Sequence, residues 1–126
     1  MTVYLDLDGV FADFKSKFED IVGFPYHQDP KKAWGILDKI DHLFLTLDLL
    51  QDSNVLFNDI WFSGNNDVRI LTALPMQTNK LITAAADKRE WVRKHLSGDI
   101  QVICTAGWKG KRDFCKPGDI LIDDML

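Results

Sequence analysis

Hydrophobic positions along the chain alternate between short β-rich runs and longer stretches at helical spacing. Residues 2–7 (TVYLDL) predict a first strand that turns at Gly9, where the lack of a Cβ lets the backbone bend sharply. From Val10 onward, Phe11, Phe14, Phe18, Ile21 and Val22 recur every three or four residues until Gly23 and Pro25, which predicts a first helix. Residues 24–50 are less regular. Trp34, Ile36, Leu37, Ile40, Leu43, Phe44 and Leu47 are interrupted by charges and by Gly35, a pattern that reads as a small helical insert. Ser53 is placed to cap a helix through Phe62 that ends at Gly64. Residues 68–73 (VRILTA) predict a second strand closed by Pro75, and a helical stretch carrying Leu81, Ala84, Ala85, Trp91 and Val92 follows to about Leu96, starting as late as Thr83. Residues 100–104 (IQVIC) and 120–123 (ILID) predict the third and fourth strands.

Strands that alternate with helical segments imply an α/β fold with a parallel sheet and helices on both faces. In such sheets ligands bind at the carboxyl ends of the strands. A length of 126 residues suits a single domain, and 46% hydrophobic with 27% charged residues excludes disordered, collagen-like and coiled-coil chains. The net charge of −4 speaks against a nucleic-acid polymer or an anionic membrane as partner. That mean hides an asymmetry: residues 1–66 carry five basic and eleven acidic side chains, residues 67–126 ten and eight. No apolar run approaches the ~20 residues of a membrane span. Cys104 and Cys115 form no CxxC, and the start Met-Thr-Val-Tyr has no basic leader. A cytoplasmic protein with reduced thiols is the expectation.

The polar residues fall at one predicted edge. The first strand ends in Asp6 and runs on to Asp8, the second ends at Thr72, a Gly/Lys loop (GWKGKRDF) follows the third, and Asp123 with Asp124 closes the fourth. An Asp after a strand is commonly a turn or cap residue, but four strands that deliver polar groups together point to a site. Like charges at ~4 Å cost about 4 kcal/mol at an effective dielectric of 20, so four carboxylates in one crevice require a cation. Oxygen-only ligands that leave room for water and phosphate suit Mg²⁺. Side-chain alternation sends the neighbours Asp123 and Asp124 to different sides, so one of them is the direct ligand. Lys111 is the second positive element. Lys109 and Lys116 read as solvated surface, and residues 80–116, with nine basic and four acidic side chains, favour an anionic substrate. The loop is not a phosphate-binding P-loop, because its glycine spacing is wrong and Arg112 stands in the Ser/Thr place.

DLDGVFADF (residues 6–14), ILTALP around Thr72, Lys111 before CKPGD, and LIDD ending at Asp124 resemble, in order, the four motifs of the haloacid dehalogenase (HAD) superfamily of phosphotransferases. More narrowly, DxDGVxADF with LIDD resembles the 5'(3')-deoxyribonucleotidases. The resemblance implies a Rossmann-like three-layer α/β/α domain over residues 1–126, with a mostly parallel sheet of order 3-2-1-4 and a helical cap at about 24–66. It implies a Mg²⁺-dependent phosphomonoesterase acting on deoxyribonucleoside monophosphates. Asp6 would be the nucleophile that forms an aspartyl-phosphate, and Asp8 the acid and base, its backbone carbonyl also ligating Mg²⁺. Thr72, with Ala73, would hold the phosphoryl group, while Lys111 neutralises its oxygens and keeps Asp6 ionised. Asp124 would complete the metal site, with Asp123 as second ligand or supporting it. Phe14 would offer a ring to base or sugar, and Trp34 and Phe44 would close over the nucleotide. Core packing competes with that role for Phe14, and core packing of the cap is the preferred reading for Trp34 and Phe44.

Family members usually continue past the acidic pair, whereas this sequence stops at Leu126, so the fourth strand is expected at the sheet edge and a homodimer across it is a further expectation. Two alternatives stand beside the nucleotidase: a HAD phosphatase for another small phosphate ester, and an inert module that binds Mg²⁺ and nucleotide.

Overall fold

The apolar runs at residues 2–5 and 68–74 are near-continuous, the pattern of strands covered on both sides. A computed structural model, described over residues 1–64, 67–76 and 79–123, shows how they are used. Strands β1 (Thr2–Leu5), β2 (Asp67–Leu74), β3 (Val102–Ala106) and β4 (Ile120–Ile122) form one sheet of order β3-β2-β1-β4, with every pair parallel. Ile70 and Leu71 are successive residues of β2 and so face opposite sides, and both have no exposed surface. The fold is α/β and compatible with a Rossmann-like arrangement, and the strand order is the expected one.

Five helices join the strands among the described residues: α1 (Phe14–Val22), α2 (Pro30–Leu37), α3 (Ser53–Trp61), α4 (Ala84–His95) and α5 (Gly107–Arg112). Short 3-10 turns lie at Tyr26–Gln28, Leu43–Thr46 and Lys80–Thr83. Several predicted boundaries move, for local reasons. The first helix begins at Phe14 rather than Val10, because Asp13 caps it by accepting from the Ser16 N–H at 3.2 Å. Ser53 is not the cap of α3. Asp52 takes that place in a left-handed conformation, and Ser53 is the first helical residue, its buried hydroxyl without a hydrogen bond among the described residues. Thr72 does not end β2, which pairs with β3 as far as Leu74. The third strand lies two residues later than predicted, and the fourth stops at Ile122. The Gly/Lys loop is the helix α5, entered through Gly107 at φ 77°.

Residues 38–47 lie against residues 79–91 through polar contacts that fix the start of α4. Asp38 accepts from the backbone N–H groups of Asn79 (3.2 Å) and Leu81 (3.0 Å). Buried Asp87 accepts from the Thr83 hydroxyl at 2.7 Å and meets His42 Nδ1 at 2.9 Å. His42 has no partner at a recognisable sequence spacing, so this contact is visible only in three dimensions. Trp91, 1% exposed, donates from Nε1 to the Leu47 carbonyl at 2.8 Å. The apolar core runs continuously from β1 and β2 through Phe11, Phe18, Leu37, Phe44 and Phe57 to Trp91. Both cysteines are free, and among the described residues no helix is long and apolar enough to cross a membrane.

Trp91 combines full burial with a hydrogen bond, so Trp91→Ala is expected to lower unfolding stability by about 3–5 kcal/mol. Phe62→Ala, at a ring 76% exposed, is expected to change it by less than about 0.5 kcal/mol. Urea denaturation of the two variants beside wild type checks both values.

Candidate functional site

Parallel strands send their carboxyl ends the same way, and the polar residues identified above gather where those ends meet. Asp6 follows β1 directly, and its backbone N–H donates to the Ile122 carbonyl at 2.9 Å, extending the pairing of β1 with β4. Its side chain is buried, with Oδ1 accepting from the Leu7 N–H at 2.8 Å. The chain then reverses in a tight turn in which the Leu7 carbonyl accepts from the N–H groups of Val10, Phe11 and Ala12, with Gly9 at φ 82°. This turn keeps Asp8 at the same edge as Asp6. Thr72 and Ala73 bring β2 to it, and Asp123, one residue past β4, completes it.

Lys111 is carried in on α5. Its Nζ lies 2.6 Å from Asp6 Oδ1 and 3.4 Å from Asp123 Oδ2, and its side chain is 4% exposed. Gly110 makes this approach possible, since a Cβ there would meet the Thr105 Cβ at 3.0 Å, closer than side chains normally pack. The resemblance implies that Lys111 holds Asp6 ionised, and the pull of Lys111 on the Asp6 carboxyl is in that direction. Burial, reinforced by the neighbouring Asp123 carboxyl, pushes the Asp6 carboxyl up from 3.8 to about 7 against the pull of Lys111.

A second lysine escaped the sequence reading. Lys88 of α4 is 1% exposed, and its Nζ donates to Asp8 Oδ2 (2.9 Å), Thr72 Oγ1 (2.8 Å) and the Ala73 carbonyl (2.8 Å). The signal was legible in principle. Ala84, Lys88, Trp91 and Val92 stand at helical spacing on one stripe, so a charge sits where the pattern calls for an apolar residue.

Asp6, Asp8, Thr72, Ala73, Lys88 and Lys111 line a cavity of about 530 Å³ together with Phe14, Trp34 and Phe44. The Phe14 ring is stacked on both other rings, 5.8 Å from each, tilted 24° from Trp34 and 12° from Phe44. The three rings therefore meet, but in unequal environments. Phe14 and Trp34 are partly exposed, whereas Phe44 is 3% exposed and has the Lys88 ammonium 4.5 Å from its ring centroid. Its environment is that of a packed residue. Lys116 is exposed, while Asp124 and the side chain of Lys109 lie outside the described residues.

The expected crowding of four carboxylates around one cation is thus only partly visible. Asp8 is paired with Lys88, and among the described residues no three His, Cys, Asp or Glu side chains gather at metal-binding spacing. Asp123 hydrogen-bonds to the Asp6 carboxyl and raises it, chiefly through that bond and less through like charge, and a cation between the two would take the place of the shared proton. Two carboxylate ligands with open positions for water and a phosphate fit Mg²⁺, which keeps much of its hydration shell. No protein-family model and no curated protein matches the chain.

The Asp6 carboxyl binds its proton more tightly in the folded chain than in the unfolded one. Its contribution to stability is therefore present below about pH 4 and is lost as pH rises through about 7. Melting temperatures of the metal-free protein from pH 4 to 8 are expected to show this loss. The difference between wild type and Asp6→Asn isolates it from other titrating groups, and a difference independent of pH would contradict the burial argument.

Proposed function

We propose that this chain is a Mg²⁺-dependent phosphomonoesterase of the HAD type that hydrolyses deoxyribonucleoside monophosphates. The carrying observation is that Asp6 and Asp8, two residues apart on one turn, share a cavity with Thr72 and Lys111 brought in from separate elements. That spacing lets one carboxylate reach phosphorus while the other serves the apical oxygen.

In this mechanism a carboxylate oxygen of Asp6 attacks phosphorus, and the bond from phosphorus to the ester oxygen breaks. Asp8 gives its proton to the departing oxygen, releasing the nucleoside. Water then attacks the aspartyl-phosphate and passes a proton to Asp8, which frees inorganic phosphate and restores both acids. Thr72 and Lys111 donate to the phosphoryl oxygens as their charge grows. Asp6 and Asp123 would hold Mg²⁺, joined on the strength of the motif likeness by the Asp8 backbone carbonyl and by Asp124, which lies outside the described residues. The ion supplies Lewis-acid charge: three described carboxylates against two buried lysines leave the site without surplus positive charge for a phosphate dianion. Bound there, it would also favour the ionised, nucleophilic form of Asp6, whose carboxyl is otherwise pushed up to about 7.

The cavity volume suits a nucleotide-sized ligand, and the partly exposed rings of Phe14 and Trp34 favour a substrate with a flat group to stack. Helical elements between β1 and β2 contribute Trp34 and Phe44 to the wall, which is the place a cap would occupy.

Incubation with a panel of nucleoside monophosphates and Mg²⁺ is expected to release inorganic phosphate. EDTA is expected to stop the release, and Asp6→Asn to reduce it by at least about 1,000-fold. Release that persists in Asp6→Asn would overturn the mechanism. Nucleotide binding without release would favour the inert module instead.

A further inference from the structure

Lys88 is the buried charge to which the mechanism above gives no task. A lysine ammonium has three N–H donors and no acceptor. All three are committed inside the protein, to Asp8 Oδ2, Thr72 Oγ1 and the Ala73 carbonyl, each at 2.8–2.9 Å. The Phe44 ring packs beside the ammonium at 4.5 Å. Lys88 thus has no donor left for a substrate, and whatever it does it does through its partners.

Its effect on each partner follows from valence. One oxygen of Asp8 is tied to Lys88. The other, Oδ1, is buried and has no hydrogen bond among the described residues. A carboxylate oxygen left in that state is costly unless a further group arrives to meet it. Thr72 Oγ1 accepts the Lys88 proton, so the proton of the Thr72 hydroxyl must point elsewhere, and both residues line the cavity.

We propose that Lys88 is a positioning residue for phosphoryl transfer: it selects Asp8 Oδ1 as the oxygen that exchanges the proton with leaving group and water, and turns the Thr72 hydroxyl toward the phosphoryl group. The inference rests on the phosphatase reading. It separates the two buried lysines by role. Lys111 faces the reacting groups, whereas Lys88 orients those that do.

The test uses Lys88→Ala with the nucleoside monophosphate that wild type hydrolyses best. The expected result is a fall in kcat of about 100-fold, the scale of a lost geometry at the reacting centre, with KM little changed. Propylamine, whose ammonium fills the vacated space with three donors, is expected to restore much of the lost rate. Tetramethylammonium, with the same charge and no N–H, is expected to restore none. Lys88→Arg keeps the charge in a folded chain but cannot aim three donors from one point, so it too is expected to lose kcat; it serves if the alanine variant fails to fold. A variant with full kcat, a rise in KM at constant kcat, or equal rescue by both cations would overturn the proposal. An active wild type beside an unaffected Lys88 variant sinks this inference alone. A wild type that releases no phosphate sinks the phosphatase reading and this inference together.

Discussion

Carboxylates gathered at the carboxyl edge of a parallel sheet repel one another, and the packing around this edge answers that repulsion. Two lysine ammoniums, each almost fully buried, are placed among Asp6, Asp8 and Asp123. Buried ion pairs contribute little net stability when intact but are costly to break, because the survivor is a charge without water or partner. The residual imbalance falls on Asp6, whose carboxyl is lifted to about 7 by burial and by Asp123. A carboxyl in that state responds to an added cation, which favours its ionised form.

The two ammoniums reach the edge by different routes, and each route constrains part of the fold. Lys111 depends on the close approach of α5 to β3, which needs a glycine at position 110 facing Thr105. Lys88 depends on α4, whose start is tied to residues 38–42 through Asp38 and through His42 on Asp87, and whose middle is pinned through Trp91 to Leu47. The same segment delivers Phe44 against the Lys88 ammonium. The helical insert thus does more than wall the cavity. It also packs Phe44 against the lysine that is paired with Asp8.

Much of this was legible in the order of residues. Covalent sequence placed Asp6 at the end of an apolar run, Thr72 near the end of another, and an acidic pair after a third, and parallel topology alone brings such positions to one edge. Apolar periodicity located the four strands and the main helices to within a few residues. The errors fell at boundaries set by single hydrogen bonds, such as the Asp13 cap of α1, and at the Gly/Lys segment, where glycines suggested a loop and the structure forms α5.

What the sequence by itself determined is the set of chemical groups and the edge to which they are sent, because strand direction and side-chain type are local properties. Only the tertiary structure decided how those groups share charge. It paired Asp8 with Lys88 across 80 residues, joined His42 to Asp87 across 45, buried Phe44 against an ammonium, and let burial outweigh Lys111 at Asp6. Ion pairing and desolvation depend on distance and on excluded water, and both are set by packing between segments remote in the chain.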